Sequence, residues 1–165
     1  MSKASEQRKV IQRAKRELKS EPAYLEICKE YNVKPDIIDG ISISFKPLDV
    51  SAKTINGEVF LNERLFESGD MIEVKRYITH ETVHVLQQNA GLVNTKTDDG
   101  DVTTTDGEDY LNDPNELEAF QTQLEFMDDH QSPEEIQKYI ENLLDHHSIR
   151  GKARRKKVIE LTQKI

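Results

Sequence analysis

A chain of 165 residues is long enough for one domain with its own core and too short for two ordinary domains joined by a linker. Hydrophobic residues make up 35% and charged residues 33%, with a net charge of −8, so the core is thin, the surface is heavily charged and general nucleic-acid binding is disfavoured. The one cysteine, Cys28, rules out an internal disulfide, and the lack of a secretory signal or of an apolar run of roughly 18–20 residues predicts a cytoplasmic protein with no membrane span.

In chain order, Val10, Ile11, Ala14 and Leu18 fall at helical spacing, which predicts an amphipathic helix over 5–18. Pro22 suits the first turn of a second helix through Leu25, Ile27 and Cys28 to about Tyr31. The period then changes. Ile41, Ile43 and Phe45 alternate with Ser42, Ser44 and Lys46 as in a half-buried strand, Asn56-Gly57 marks a hairpin turn, and Val59-Phe60-Leu61 continue as a strand. A small antiparallel sheet between 41 and 62 is expected. Asp70 followed by Glu73 suits the capped start of a helix over 71–89, which Gly91 stops.

From Asn94 to Asp109 the chain is rich in Asp, Gly and Thr and reads as a loop. It lacks the spacing of a calcium-binding loop, and it is placed to cover a cleft. Asp113-Pro114 opens a helix to about Asp129, with Leu117, Phe120, Leu124 and Met127 as its buried stripe. Ser132-Pro133 opens the next, through Ile136, Ile140, Leu143 and Leu144, and a last helix covers about 152–163. The basic run Arg150 to Lys157 reads as a solvated helix start or as an anchor for nucleic acid or an acidic partner. The fold class expected is α+β, mainly helical. The N-terminal helices (1–35), a core (41–128) and the C-terminal helices (133–165) make up one unit.

Residues 80–84 read His-Glu-Thr-Val-His in the middle of the predicted 71–89 helix. A four-residue step turns a helix by about 400°, so His80 and His84 project from one face, close enough to hold one metal ion. Neutral imidazole suits zinc. Glu81 is rotated by about 100° from His80, beside the metal and not on it, where it can take a proton from zinc-bound water. A third protein ligand is needed, and Asp113, Glu116, Glu118, His130, His146 and His147 are the candidates. With Phe120 marking the buried face, Glu116 lies about 40° from it and Glu118 about 160° away, so Glu116 faces inward and Glu118 faces solvent. A buried carboxylate is costly unless paired, and a zinc ion pairs it. The three later histidines read as surface residues near helix ends.

The strand end Val59-Phe60-Leu61-Asn62, the His80-Glu81-Thr82-Val83-His84 helix and Glu116-Leu117-Glu118-Ala119 together resemble a minimal gluzincin metallopeptidase. The extension His84-Val85-Leu86-Gln87-Gln88 is similar to small bacterial and phage-encoded members. The resemblance spans about residues 41–128. It implies a zincin-like fold, zinc as cofactor, a peptide or protein substrate, and Glu116 as third ligand. Members often carry Ala three residues after that glutamate and Asp or Asn four after it. Ala119 fits, but Phe120 takes the fourth place, which leaves Asp113 and Asn115 as candidates for steadying a ligand histidine. The resemblance also implies an oxyanion donor outside the motif. Tyr110 is the first choice, with Tyr77, about 60° from His80 on its helix, as the alternative; both also read as packing residues.

The reading is therefore a zinc metallopeptidase. Two alternatives stand beside it: a non-catalytic, zinc-stabilised binding or regulatory module, and a latent peptidase whose cleft is covered. Glu81 favours the enzyme, because a purely structural site has no use for a base at that place.

Overall fold

The computed structural model describes residues 2–92 and 107–165. Helix α1 (Lys3–Leu18) starts at Ser2, whose side chain accepts from the amide of Ser5, and buries Ile11, Ala14 and Leu18. Helix α2 (Pro22–Glu30) buries Ala23, Tyr24, Ile27 and Cys28. A 3-10 helix (Pro35–Gly40), not expected from the sequence, leads into the sheet.

Three short strands follow: β1 (Ile43–Lys46), β2 (Ala52–Ile55) and β3 (Glu58–Asn62). The hairpin at Asn56-Gly57 is present. Both residues have positive φ, 51° and 79°, as a tight two-residue turn requires, and Ile55 pairs with Glu58. The sheet is mixed, however, and not antiparallel as expected. Its order is β1-β3-β2, with β1 parallel to β3 and β2 antiparallel to it. A turn signal fixes only the β2–β3 pair. Val59 and Leu61, both fully buried, draw β3 to the centre, and β1 adds on its far side, two chain reversals away and so in the same direction.

Helix α3 (Glu63–Ser68), another unexpected short element, is capped by the Asn62 side chain. Helix α4 (Met71–Asn89) begins where predicted, with the Asp70 carboxylate accepting from the amides of Ile72 and Glu73 at 3.0 and 3.2 Å. It ends before Gly91, whose φ of 74° is left-handed. The helix is buried almost all round from Val74 to Gln88, because α6, β2, β3 and α1 pack against it.

Helix α5 (Gly107–Asn112) starts inside the stretch read as loop, so that loop does not run to Asp109; its remainder, and with it the reading of a cover over the cleft, lies outside the described residues. Helix α6 (Pro114–His130) buries Phe120, Leu124 and Met127 and leaves Leu117 half-buried. Helix α7 (Pro133–His146) opens with a reciprocal capping box between Ser132 and Glu135, and α8 (Gly151–Leu161) closes the chain. The main core draws residues from Ile11 to Leu161. A smaller cluster of Ile27, Val83, Leu86 and Ala119 seats α2 on α4 and α6. No helix among the described residues is long and apolar enough to cross a membrane. The architecture is thus α+β, mostly helical, with one small sheet beside α4.

Candidate metal centre

The middle of α4 and the first turn of α6 meet at three side chains. His80 and His84, one turn apart, hold their rings 5.0 Å centroid to centroid. Their Nε2 atoms converge on a single oxygen, Oε1 of Glu116, at 3.4 and 3.1 Å. Capping by Asp113 and the proline at position 114 start α6 at the place that turns Glu116 inward. All three side chains are buried, and one donor atom from each lies within 4.8 Å of the others.

What holds the rings decides what they can do. Nδ1 of His84 is 2.7 Å from Oε1 of Gln87, and the Gln87 amide nitrogen donates to the backbone oxygen of Asn115 and to Oε1 of Glu118, at 2.9 and 3.0 Å. Two acceptors fix the orientation of that amide, so its oxygen faces the imidazole and His84 donates from Nδ1. Nδ1 of His80 meets Oε1 of Gln123 at 3.0 Å in the same way, with the Gln123 amide nitrogen 3.7 Å from the sulfur of Met127. Both Nε2 lone pairs then face a carboxylate oxygen. Such a cluster of acceptors needs a cation among them, either a proton or a metal ion. Burial alone lowers the pKa of His84, but the Glu116 charge and hydrogen bond, with Glu81 and Gln87 behind them, outweigh it and push the value up to about 9. Two imidazole nitrogens and one carboxylate oxygen, with the adjoining space open, match the donor set of a three-ligand zinc site.

Glu81 lies beside this cluster. It is buried, its Oε1 accepts from the Thr54 hydroxyl of β2 at 2.8 Å, and its Oε2 is 3.9 Å from Nε2 of His80. His80 and Glu81 line a cleft of about 410 Å³, together with residues 49–52, Tyr139, Leu143 and His147. Tyr110 and Tyr77 both line it. Tyr110 is buried, with its ring stacked 4.8 Å from that of His147 and edge-on to Phe120 at 6.2 Å. The Arg76 guanidinium sits between the rings of Tyr77 and Tyr139, at 5.1 and 5.0 Å.

Several sequence-based expectations change here. His147 is not a surface residue; it is buried at the end of α7, and burial, with His146 beside it, lowers its pKa against the pull of Glu116. His146 is exposed but lines the same cleft, while His130 pairs with Glu21 at 2.8 Å. Glu118 does not face solvent. It is half-buried under α2, where the Tyr31 hydroxyl donates to it. Neither Asp113 nor the Asn115 side chain steadies a histidine: Asp113 caps α6, and the Asn115 amide reaches the Leu92 oxygen. Gln87 and Gln123 fill that role. Their signal was present, since Gln87 lies three residues after His84 and Gln123 seven after Glu116, on the same helix faces. Thr54, Tyr139 and Tyr31 carried no such signal.

The basic segment is also partly spoken for. Lys157 is buried and donates to the Leu111 oxygen and to the Asn112 side chain, at 3.0 and 2.6 Å, while Arg154 pairs with Asp145. Arg150, Lys152, Arg155 and Lys156 remain exposed. Compared with known proteins, the chain matches no family model, no curated protein and no solved structure.

Proposed function

We propose that this chain is a zinc-dependent metallopeptidase of the gluzincin kind, zincin-like in fold and cytoplasmic, that hydrolyses bonds in peptide or protein substrates. The observation that carries the reading is the convergence of His80 Nε2, His84 Nε2 and Glu116 Oε1, with both Nδ1 atoms already engaged. A zinc ion, which His80, His84 and Glu116 would hold, would supply a Lewis acid and lower the pKa of water from about 15.7 to about 7.

The chain's own groups do the rest. Glu81, fixed on one oxygen by Thr54, keeps Oε2 on the side of His80 Nε2, where it takes the proton of the attacking water and returns it to the leaving amine nitrogen. Gln87 and Gln123 fix both rings through Nδ1, so that Nε2 of each faces Glu116 Oε1 and would be free to bind the metal. Tyr110, Tyr77 and the buried, neutral-leaning His147 line the cleft as candidate hydrogen-bond donors to the developing oxyanion. Burial of Glu81 and its hydroxyl partner supports an enzyme over a module that merely uses zinc to hold its shape.

Glu81→Gln is the test, with zinc measured by elemental analysis and turnover on a peptide library. The proposal expects about one zinc per chain in both proteins and loss of turnover by about 10²–10⁴-fold in the variant. Equal behaviour of both proteins on every substrate points to the binding or regulatory module. A folded wild type that takes up no zinc removes the proposal altogether.

A further inference from the structure

The N-terminal helices lie outside the stretch that resembles gluzincins, yet one of their side chains reaches the metal centre. Tyr31 is the residue at which α2 ends, and its hydroxyl donates to Oε1 of Glu118. The same oxygen accepts from the amide nitrogen of Gln87 at 3.0 Å, and the oxygen of that amide meets His84 Nδ1 at 2.7 Å. Gln87 is fully buried. An unbroken line of hydrogen bonds thus runs from α2 through α6 and α4 to a metal ligand.

Each link acts on the next. The Glu118 carboxylate strengthens the N–H it accepts and polarises the Gln87 amide, whose oxygen then draws more strongly on Nδ1–H and makes Nε2 a better donor to a metal. The Tyr31 hydroxyl holds the carboxylate in line; without it, a half-buried Glu118 is free to turn toward water. His80 is backed through Gln123 by neutral groups, the Met127 thioether 3.7 Å from the amide nitrogen and the Tyr139 hydroxyl, where His84 has the Glu118 carboxylate behind Gln87. The two ligand histidines are therefore unequal, and the stronger one depends on α2.

We infer that Tyr31 and Glu118 are positioning residues for the metal ligand His84, so that the seating of the N-terminal helices sets the affinity of the metal site. The inference rests on the zinc reading above. It also gives that site a point of regulation, because anything that lifts α2 weakens its hold on the metal.

The experiment measures the zinc Kd of the full chain by competition with a chromophoric chelator, and the visible absorption of the cobalt-loaded protein. The variants are Tyr31→Phe and Glu118→Gln, and Tyr24→Phe is the control. Tyr24 lies on the same helix and also donates its hydroxyl, but to the backbone oxygen of Pro35 and not into the line. Tyr31→Phe and Glu118→Gln should each weaken zinc binding by about tenfold or more, the usual effect of losing an outer partner of a ligand histidine. Both should shift the cobalt spectrum, and Tyr24→Phe should do neither. Wild-type affinity in both relay variants overturns the inference. Weakening by Tyr24→Phe equal to that by Tyr31→Phe overturns it too, because affinity then simply follows the packing of α2. If Tyr31→Phe does not fold, the near-isosteric Glu118→Gln decides alone. A wild type that binds no zinc removes the metal reading and the inference together, whereas tight wild-type binding with unaffected variants removes only the inference.

Discussion

The Nε2 atom of His84 and the Oε1 atom of Glu116 lie 3.1 Å apart in a buried space, an arrangement that a single proton or a metal ion can satisfy. In the metal-free protein the proton wins at neutral pH. Burial opposes the charge on His84, but Glu116 and the groups behind it raise its pKa to about 9. Zinc must displace that proton. Calorimetric titration with zinc at about pH 6, below the pKa of about 7 of zinc-bound water, in buffers of different ionisation enthalpy should report release of about one proton from this site.

The same shift sets a pH dependence of stability. The folded pKa of His84 lies above the unfolded value of about 6.5, so its contribution is fully present below about pH 6.5 and is lost as pH rises through about 9. The melting temperature of the metal-free protein, followed in chelator from pH 6 to 10, should therefore fall across that window. A flat profile would show that the Glu116 charge does not reach His84 as the geometry requires.

Glu116 and Glu118, two residues apart, should separate cleanly in metal binding. If Glu116 is the third ligand, as proposed, Glu116→Ala should weaken zinc by more than the roughly 10–100-fold cost of losing an outer partner, whereas Glu118→Ala should stay within that range. Elemental analysis after extensive dialysis distinguishes them. Zinc lost with Glu118 and kept with Glu116 would reverse the ligand assignment.

Thr54→Val removes the hydroxyl that fixes Glu81 and leaves a buried carboxylate oxygen without that donor. Zinc content should not change. On any substrate the wild type cleaves, kcat should fall by up to about 10²-fold with little change in KM, the pattern of a misplaced base. A rise in KM at constant kcat would assign Thr54 to substrate binding.

Lys157 and Lys156 are neighbours with opposite fates. Lys157→Met abolishes the donor to the Leu111 oxygen and the Asn112 side chain and should cost about 1–3 kcal/mol in urea denaturation. The exposed Lys156→Met should stay within about 0.5 kcal/mol of wild type.

Local signals in the sequence carried the helices and the heart of the site. Caps and proline placed α4, α6 and α7, and the four-residue step put His80 and His84 on one face. The inward turn of Glu116 followed from a helical wheel centred on Phe120. What failed was what depends on distant packing. The parallel β1–β3 pair depends on which strand takes the centre of the sheet, and no turn encodes that. Glu118 reads as solvent-facing in the sequence because its partner Tyr31 is 87 residues away, at the end of a helix whose docking no periodicity reveals. His147 reads as a surface residue for the same reason, since only the fold brings Tyr110 over its ring.

Asn62 ends β3 and caps α3, and its side-chain nitrogen also donates to the carbonyls of Leu48 and Val50, at 2.9 and 3.0 Å. That NH₂ group braces residues 48–50, next to the Asn62 backbone amide that donates to the Ser51 oxygen and the Arg64 guanidinium that donates to the Ser51 hydroxyl, both at 2.8 Å. Deamidation of Asn62 exchanges that group for a charged oxygen, which turns both carbonyl contacts from attraction into repulsion while leaving the cap on α3 intact. Chemical ageing at this one position would therefore loosen residues 48–50 at the cleft while leaving His80, His84 and Glu116 untouched.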